Sequence, residues 1–334
     1  MPLVGSRKLS VLFLLIAGGL VAAGGLFNFL VDPLDEHAHE IVPPRAHNSR
    51  VEMARFIQAW PKEPTALVIG SSRSQGVPLD VARELTGSTA RRVAVAGMKP
   101  EEYLMFTRYA VEEASVPVTD VIAAFDVESF LFTADPSEGL KTAALEKFWP
   151  DWYGAPTLAD RYGKWQRHFS LSQLAISLNG LRAIAEGEQG DLVPFSLREA
   201  GTPVPAGVNT DAVVAHWLAD KGGVSDFSRV DLRRLKEFVK FIQYLDSRGI
   251  SLNVYLTPLQ PVYRAEAAKH GLDNAVQLVT VAALDALPGQ ETAFRDFTDV
   301  SSFGGDPHEF SDGSHHTTVN GGRILRELFE GRTQ

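Results

Sequence analysis

Two short stretches of this chain carry the residue types that acyl chemistry requires. The first is Gly70-Ser71-Ser72-Arg73, which ends the apolar run Thr65–Ile69. The second lies far downstream, in Phe310-Ser-Asp-Gly-Ser-His-His-Thr317, where Asp312 precedes His315 by three positions. A serine hydroxyl is too weak an acid to attack a carbonyl unaided. It needs an imidazole within hydrogen-bond reach, and that imidazole needs a fixed tautomer. A carboxylate placed shortly before the histidine in a turn can bond one ring nitrogen and leave the other facing the serine. Nucleophile, base and orienting carboxylate are the parts of a serine acyl hydrolase or acyltransferase.

Each stretch also admits a plainer reading. A serine at a helix start satisfies free amides as a cap. Asp312 reads equally as a cap with a bystanding histidine, and His308, His315 and His316 as a metal site. His316 is an adjacent decoy, since the spacing from Asp312 favours His315. Gly70-Ser71-Ser72-Arg73 is not a phosphate loop, because the Gly-x-x-x-x-Gly-Lys spacing is absent.

The elements that must position these residues alternate along the chain. Helical patterns at Val51–Trp60, Pro78–Thr86, Pro100–Ala114, Val230–Arg248, Tyr263–Leu287 and Val319–Phe329 separate short apolar runs. Those runs, read as strands, are Thr65–Ile69, Arg92–Ala96, Asp120–Phe125, Ser251–Leu256 and Ala293–Phe297. Strands alternating with helices predict an α/β fold, a parallel sheet covered on both faces. Ligands of such sheets sit beyond the carboxyl ends of the strands. The alternation breaks at about 133–228, an insertion expected over the active end of the sheet, with helical stretches at Leu171–Ala185 and Thr210–Lys221. Its Trp149, Trp152, Tyr153 and Trp165 either pin the insertion to the core or offer flat faces to sugar rings.

Composition bounds the function classes. A formal charge of −9 with no basic run argues against a nucleic-acid partner. The absence of cysteine excludes disulfides, metal thiolates and a thiol nucleophile. Arg7 and Lys8 precede the uncharged stretch Leu9–Leu30, which is long enough to span a bilayer. The expected layout is a cytoplasmic segment 1–8, an uncleaved anchor 9–30, a linker 31–50 and an extracytoplasmic domain 51–334. A cleaved signal peptide is the rival reading, because Val21-Ala-Ala-Gly-Gly25 offers small residues to a peptidase. His37, His39 and His47 lie in a turn-like context within the linker, and no metal or organic cofactor is expected.

Taken together, Gly70-Ser71-Ser72 after a first strand, Gly97 after a second, a polar residue after a third and Asp312-x-x-His315 before the last helix resemble the SGNH hydrolase superfamily. More closely, the chain resembles its membrane-anchored extracytoplasmic members in polysaccharide and cell-wall acylation, such as the alginate O-acetylation and teichoic-acid D-alanylation factors. Phe29-Leu-Val-Asp-Pro33 and Ser251-Leu-Asn-Val-Tyr-Leu-Thr-Pro258 are also similar to that group. The resemblance covers roughly residues 50–130 and 230–334. It implies a flavodoxin-like sheet of about five parallel strands, Ser72 as nucleophile, His315 as base, Asp312 as its orienter, and the amides of Ser72 and Gly97 facing an oxyanion. It further implies a polysaccharide or acyl-donor substrate and a membrane acyltransferase or polysaccharide synthase as partner. Two departures stand out. Ser71 replaces the family's Asp, and Asp126 stands where an oxyanion-binding Asn is expected. An ionised carboxylate only accepts hydrogen bonds, so Asp126 could donate only if protonated, which burial favours. Arg73 is expected to supply replacement positive charge.

Overall fold

In the computed structural model, residues 4–31, 49–133, 137–154, 169–186, 208–221, 223–287 and 293–330 are described. Most of the expected linker 31–50, with its three histidines, lies outside them, as does Trp165. The chain forms two compact units, one of Met1–Glu52 with Tyr153–Leu192, the other of Met53–Trp152 with Val193–Gln334.

The first unit contains helix α1 (Val4–Val31), whose Lys8–Val31 portion is long and apolar enough to cross a membrane. The inserted segment is therefore not one body. Its helix α5 (Leu171–Ala185) packs on α1, whereas α6 (Thr210–Lys221) belongs to the second unit. Helix α2 (Ser49–Gln58) leads into that second unit.

The second unit is an α/β fold built on strands β1 (Thr65–Gly70), β2 (Thr89–Ala94), β3 (Val118–Phe125), β4 (Ser251–Leu256) and β5 (Phe294–Asp296). All neighbours pair in parallel, in the order β2-β1-β3-β4-β5. That is the doubly wound, flavodoxin-like order, with its switch point between β1 and β3. Strand β1 is buried throughout, which explains why it reads as an unbroken apolar run. Strand β2 begins three residues earlier than the apolar pattern suggests, because it is an edge strand whose first half is only half-buried. Arg91 and Arg92 fit there, Arg91 reaching Glu63 and Arg92 the carbonyl of Val77.

Helices cover both faces. On one, α4 (Pro100–Arg108) and α7 (Leu232–Ser247) bury Tyr103, Phe238 and Phe241 around Phe125, with Tyr103 stacked on it at 3.8 Å. Asp231 caps α7 by accepting from the Arg233 amide. On the other, α3 (Leu79–Thr86) and the closing helix α10 (Thr318–Glu330) enclose Val68, Ile122, Tyr255, Phe297, Ile324, Leu325 and Leu328. The stretch expected to be largely helical after β4 is two helices, α8 (Pro261–Lys269) and α9 (Leu272–Ala286), divided at Gly271, which adopts φ 92°.

Helix α10 meets the turn that follows β1 without a spacer. A Cβ at Gly321 would overlap the Gly76 carbonyl, and one at Gly76 would lie 2.5 Å from the His316 ring. Backbone cannot yield as a flexible side chain can, so Gly321→Ala should lower unfolding stability by ~1–3 kcal/mol. Urea denaturation of the detergent-solubilised full chain checks this; an unchanged midpoint would show that the contact is slack.

Candidate active site

The strand β1 ends at Gly70, where an added Cβ would press on Ala124 of β3 and on Ser74. The chain then turns sharply into a short 3₁₀ helix, Ser72–Gly76. Two serines share the turn and take different places in it. Ser71 is buried and caps, its hydroxyl accepting from the Arg73 amide at 3.1 Å. Ser72 is half-buried and its hydroxyl meets His315 Nε2 at 2.7 Å. His315 Nδ1 in turn lies 2.7 Å from Asp312 Oδ2. A carboxylate can only accept, so the Nδ1 proton faces Asp312 and Nε2 is left to take the proton of Ser72.

Asp312 is held as firmly as the histidine. Its Oδ1 accepts from the amides of Ser314 and His315 at 2.7 and 2.8 Å. Burial alone would raise its pKa, but the His315 hydrogen bond and charge, with those two amides, hold it far below the usual carboxylate range. The loop itself is closed by the Ser311 amide donating to the His315 carbonyl and by an antiparallel bridge between Phe310 and His316. Asn320 ties it to α10 through both the amide and the carbonyl of Asp306. From the α8 side, the Gln260 amide donates to the Gly313 carbonyl, and the Tyr263 ring presses on Gly313 where any Cβ would stand.

His316 has the opposite environment. It is buried against Gly76, with Nδ1 against the Thr317 carbonyl. The third histidine of the alternative metal reading, His308, is exposed, and no group of three or more His, Asp or Glu among the described residues is placed to hold a metal.

The expected oxyanion residues separate into two classes. Gly97 lies after β2 with φ 61° and an open surface, and neither its amide nor that of Ser72 has a hydrogen-bond partner among the described residues. Arg73 and Asp126 correct the expectation made for them. The Arg73 guanidinium is turned inward and bound bidentately by Glu128 at 2.7 and 3.0 Å. It also donates to Thr257 at 3.2 Å, and its Nε lies 3.7 Å from Asp126. Burial works against its charge, but Asp126 and Glu128 more than offset this and raise its pKa. The charge is therefore committed to two carboxylates rather than free for an oxyanion. Asp126, in the same way, accepts at 2.9 Å from the Thr257 hydroxyl instead of donating.

Several residues of this site carry no sequence signal of their own. Glu128 and Thr257 become visible only when the ends of β3 and β4 are adjacent. Tyr263 donates to Glu128 at 3.2 Å and contacts Trp217 of α6, their ring centres 5.8 Å apart. That helix is the part of the insertion that reaches the site, through Asp211 with Gln260 and Thr210 with the His308 carbonyl. Trp152, for which pinning the insertion and stacking on a sugar ring were both open, has Arg233 over its ring at 4.8 Å. Lys99, in the loop after β2, is half-buried and makes no side-chain ion pair among the described residues. Burial, then the charge of Arg234, lowers its pKa.

No protein-family model matches the chain, and comparison with curated proteins finds no match. The geometry therefore stands alone as the guide to function.

Two outcomes test this arrangement. Replacing Arg73 by Met should destabilise the fold by ~3–5 kcal/mol, since Glu128 and Asp126 would be left buried without a counter-charge. Chemical denaturation measures it, and a loss under 1 kcal/mol would mean the cluster is hydrated. Burial depresses His316 from 6.5 to about 4. The unfolded chain then binds more protons between those values, so stability is complete above pH 6.5 and falls as pH drops towards 4. The loss attributable to this one ring is at most about 3 kcal/mol. His316→Gln should flatten that part of the stability–pH curve; identical curves for the two proteins would refute a neutral buried imidazole.

Proposed function

We propose that the protein is an extracytoplasmic, membrane-anchored serine acyl-ester enzyme of the SGNH type, an O-acyltransferase or esterase acting on a surface or exported polysaccharide. The observation that carries this reading is the continuous Ser72–His315–Asp312 chain, with both links at 2.7 Å, at the carboxyl end of a parallel sheet. Capping does not account for it, because the cap is Ser71. The membrane part of the reading rests on Lys8–Val31 and on the basic pair Arg7 and Lys8 at its amino end.

In this mechanism Ser72 Oγ attacks the ester carbonyl while its proton passes to His315 Nε2. Asp312 stabilises the imidazolium that forms. The negative oxygen of the tetrahedral intermediate meets the unpartnered amides of Ser72 and Gly97. Collapse breaks the ester bond, and the leaving alcohol takes the proton from His315. The acyl-Ser72 intermediate is then attacked by water or a sugar hydroxyl whose proton passes to the same imidazole; the acyl–Oγ bond breaks and Ser72 Oγ takes that proton back from His315. No cofactor takes part in these steps.

One observation favours a second reading, a binding or assembly protein on the same fold. Asp126 puts an accepting carboxylate where a donor would serve catalysis, and Arg73 is not free to replace it. Asp126→Asn separates the two, since the amide keeps the acceptor and adds a donor. An enzyme limited by its oxyanion hole gains rate from that change, and a binding protein gains none.

The direct test is a fluorophosphonate probe on the detergent-solubilised full chain, with adducts located by peptide mapping. Labelling is expected at Ser72, absent in Ser72→Ala and slowed by ~10³-fold or more in His315→Ala. Asp312→Asn should slow labelling strongly while leaving the fold intact. A folded wild-type protein that takes no label would overturn the enzyme reading.

A further inference from the structure

The side chains that helix α5 buries are polar, and one stripe of its exposed surface is apolar, with Ser172 and Asn179 exposed beside it. Gln173 and Ser177, four residues apart and so on one face, are buried. On the opposite face Leu171 and Leu178 are 82% and 52% exposed, with Ala175 between them and Phe169 exposed just ahead. A water-exposed helix buries its apolar stripe and shows its polar one. The reverse is expected where the surroundings are themselves apolar and polar side chains serve to join helices.

What α5 packs on is the apolar helix α1. Ser177 donates to Asn28 Oδ1 at 2.9 Å, and both side chains are fully enclosed. The Phe169 ring covers Gly25 so closely that no Cβ fits there. These contacts fall within the Lys8–Val31 span. At ~1.5 Å rise per residue, Asn28 lies about 4.5 Å and Gly25 about 9 Å inside the Val31 end. Phe169, at the start of α5, therefore meets the deeper position and Ser177 the shallower one. Charge returns only in the last turn of α5, where Arg182 pairs with Glu186 in the open.

We propose that α5 is a second membrane-embedded element, lying in the headgroup–acyl boundary beside the anchor with its Leu171–Leu178 face in lipid. The occupant of that face is the bilayer because α5 is held against the apolar helix α1 at the level of that helix's last two turns. Its tilt, with the amino end deeper, places the leucines at the 5–10 Å depth that interfacial helices reach. Asn28 and Ser177 satisfy each other where water is scarce, as polar groups between membrane helices do. This inference rests on α1 spanning a membrane and is independent of the acyl-ester reading.

The chain has no cysteine, so a single introduced thiol reports one position. The full chain carrying Leu171→Cys, Leu178→Cys, Leu15→Cys or Ser301→Cys, labelled with nitrobenzoxadiazole, would be reconstituted into phosphatidylethanolamine–phosphatidylglycerol vesicles. The first three sites are exposed on their helices and Ser301 is exposed in the second unit, so the substitutions leave the cores untouched. With a nitroxide quencher on the upper acyl chain, emission at 171 and 178 is expected to fall by roughly half or more, as for a group buried at interfacial depth. The Ser301 probe should remain bright. Quenching at 15 without quenching at 171 and 178 would overturn the proposal and leave a protein partner to cover the face. An unquenched probe at 15 would remove the anchor itself and the proposal with it.

Discussion

The whole site depends on one close approach of backbone. Helix α10 docks so tightly on the turn after β1 that Gly321 faces the Gly76 carbonyl with no room for a side chain, and the His316 ring fills the space beside them. His315 is the next residue back along the chain, and Ser72 begins the same short turn that Gly76 ends. Two segments separated by more than two hundred residues are therefore referenced to one contact. The 2.7 Å link between Ser72 and His315 is a consequence of that docking more than of any attraction between the two side chains. Interiors packed at crystal-like density transmit displacement, so a shift at Gly321 would be felt at the imidazole.

A second constraint is electrostatic. The carboxyl ends of β1, β3 and β4 converge on Arg73, Asp126, Glu128 and Thr257, and Tyr263 of α8 closes the group. The cluster holds one guanidinium against two carboxylates. Its satisfaction is geometric, with a bidentate pair, a hydroxyl that both accepts and donates, and a phenol. Tyr263 also presses on Gly313, so the network that neutralises Arg73 and the loop that carries Asp312 and His315 share a wall. This gives Arg73 a fixed place beneath the turn that carries Ser72. It also commits that charge to Glu128 and Asp126.

The chain as a whole combines a rigid sheet, on which every strand is paired in parallel, with a unit of very different character. There a long apolar helix meets α5 through an enclosed hydrogen bond and a ring packed on a glycine. The polar residues of that pair look inward and the leucines outward, the converse of the arrangement in α7, where Phe238, Phe241 and Leu245 are buried.

Much of this was legible from the residues alone. Continuous apolar runs specify buried parallel strands, so β1, β3 and β4 were visible, and amphipathic periodicity fixed α7 and α10. The Asp312-x-x-His315 spacing is local and determines its own turn, since the carboxylate bonds amides two and three residues on. Edge strand β2 was displaced because half-exposed positions accept arginines and break the apolar pattern. The break within α8–α9 turned on a single glycine. What only the tertiary structure decided is which distant groups meet. That Ser72 and His315 come within reach across the fold, and where Arg73 sends its charge, follow from the order of strands in the sheet and from the fit of α10 onto the turn. Sequence spacing governs geometry within a turn or helix. Once the chain reverses through several elements, packing sets the distances, and Glu128, Thr257 and Tyr263 had no local pattern to announce them.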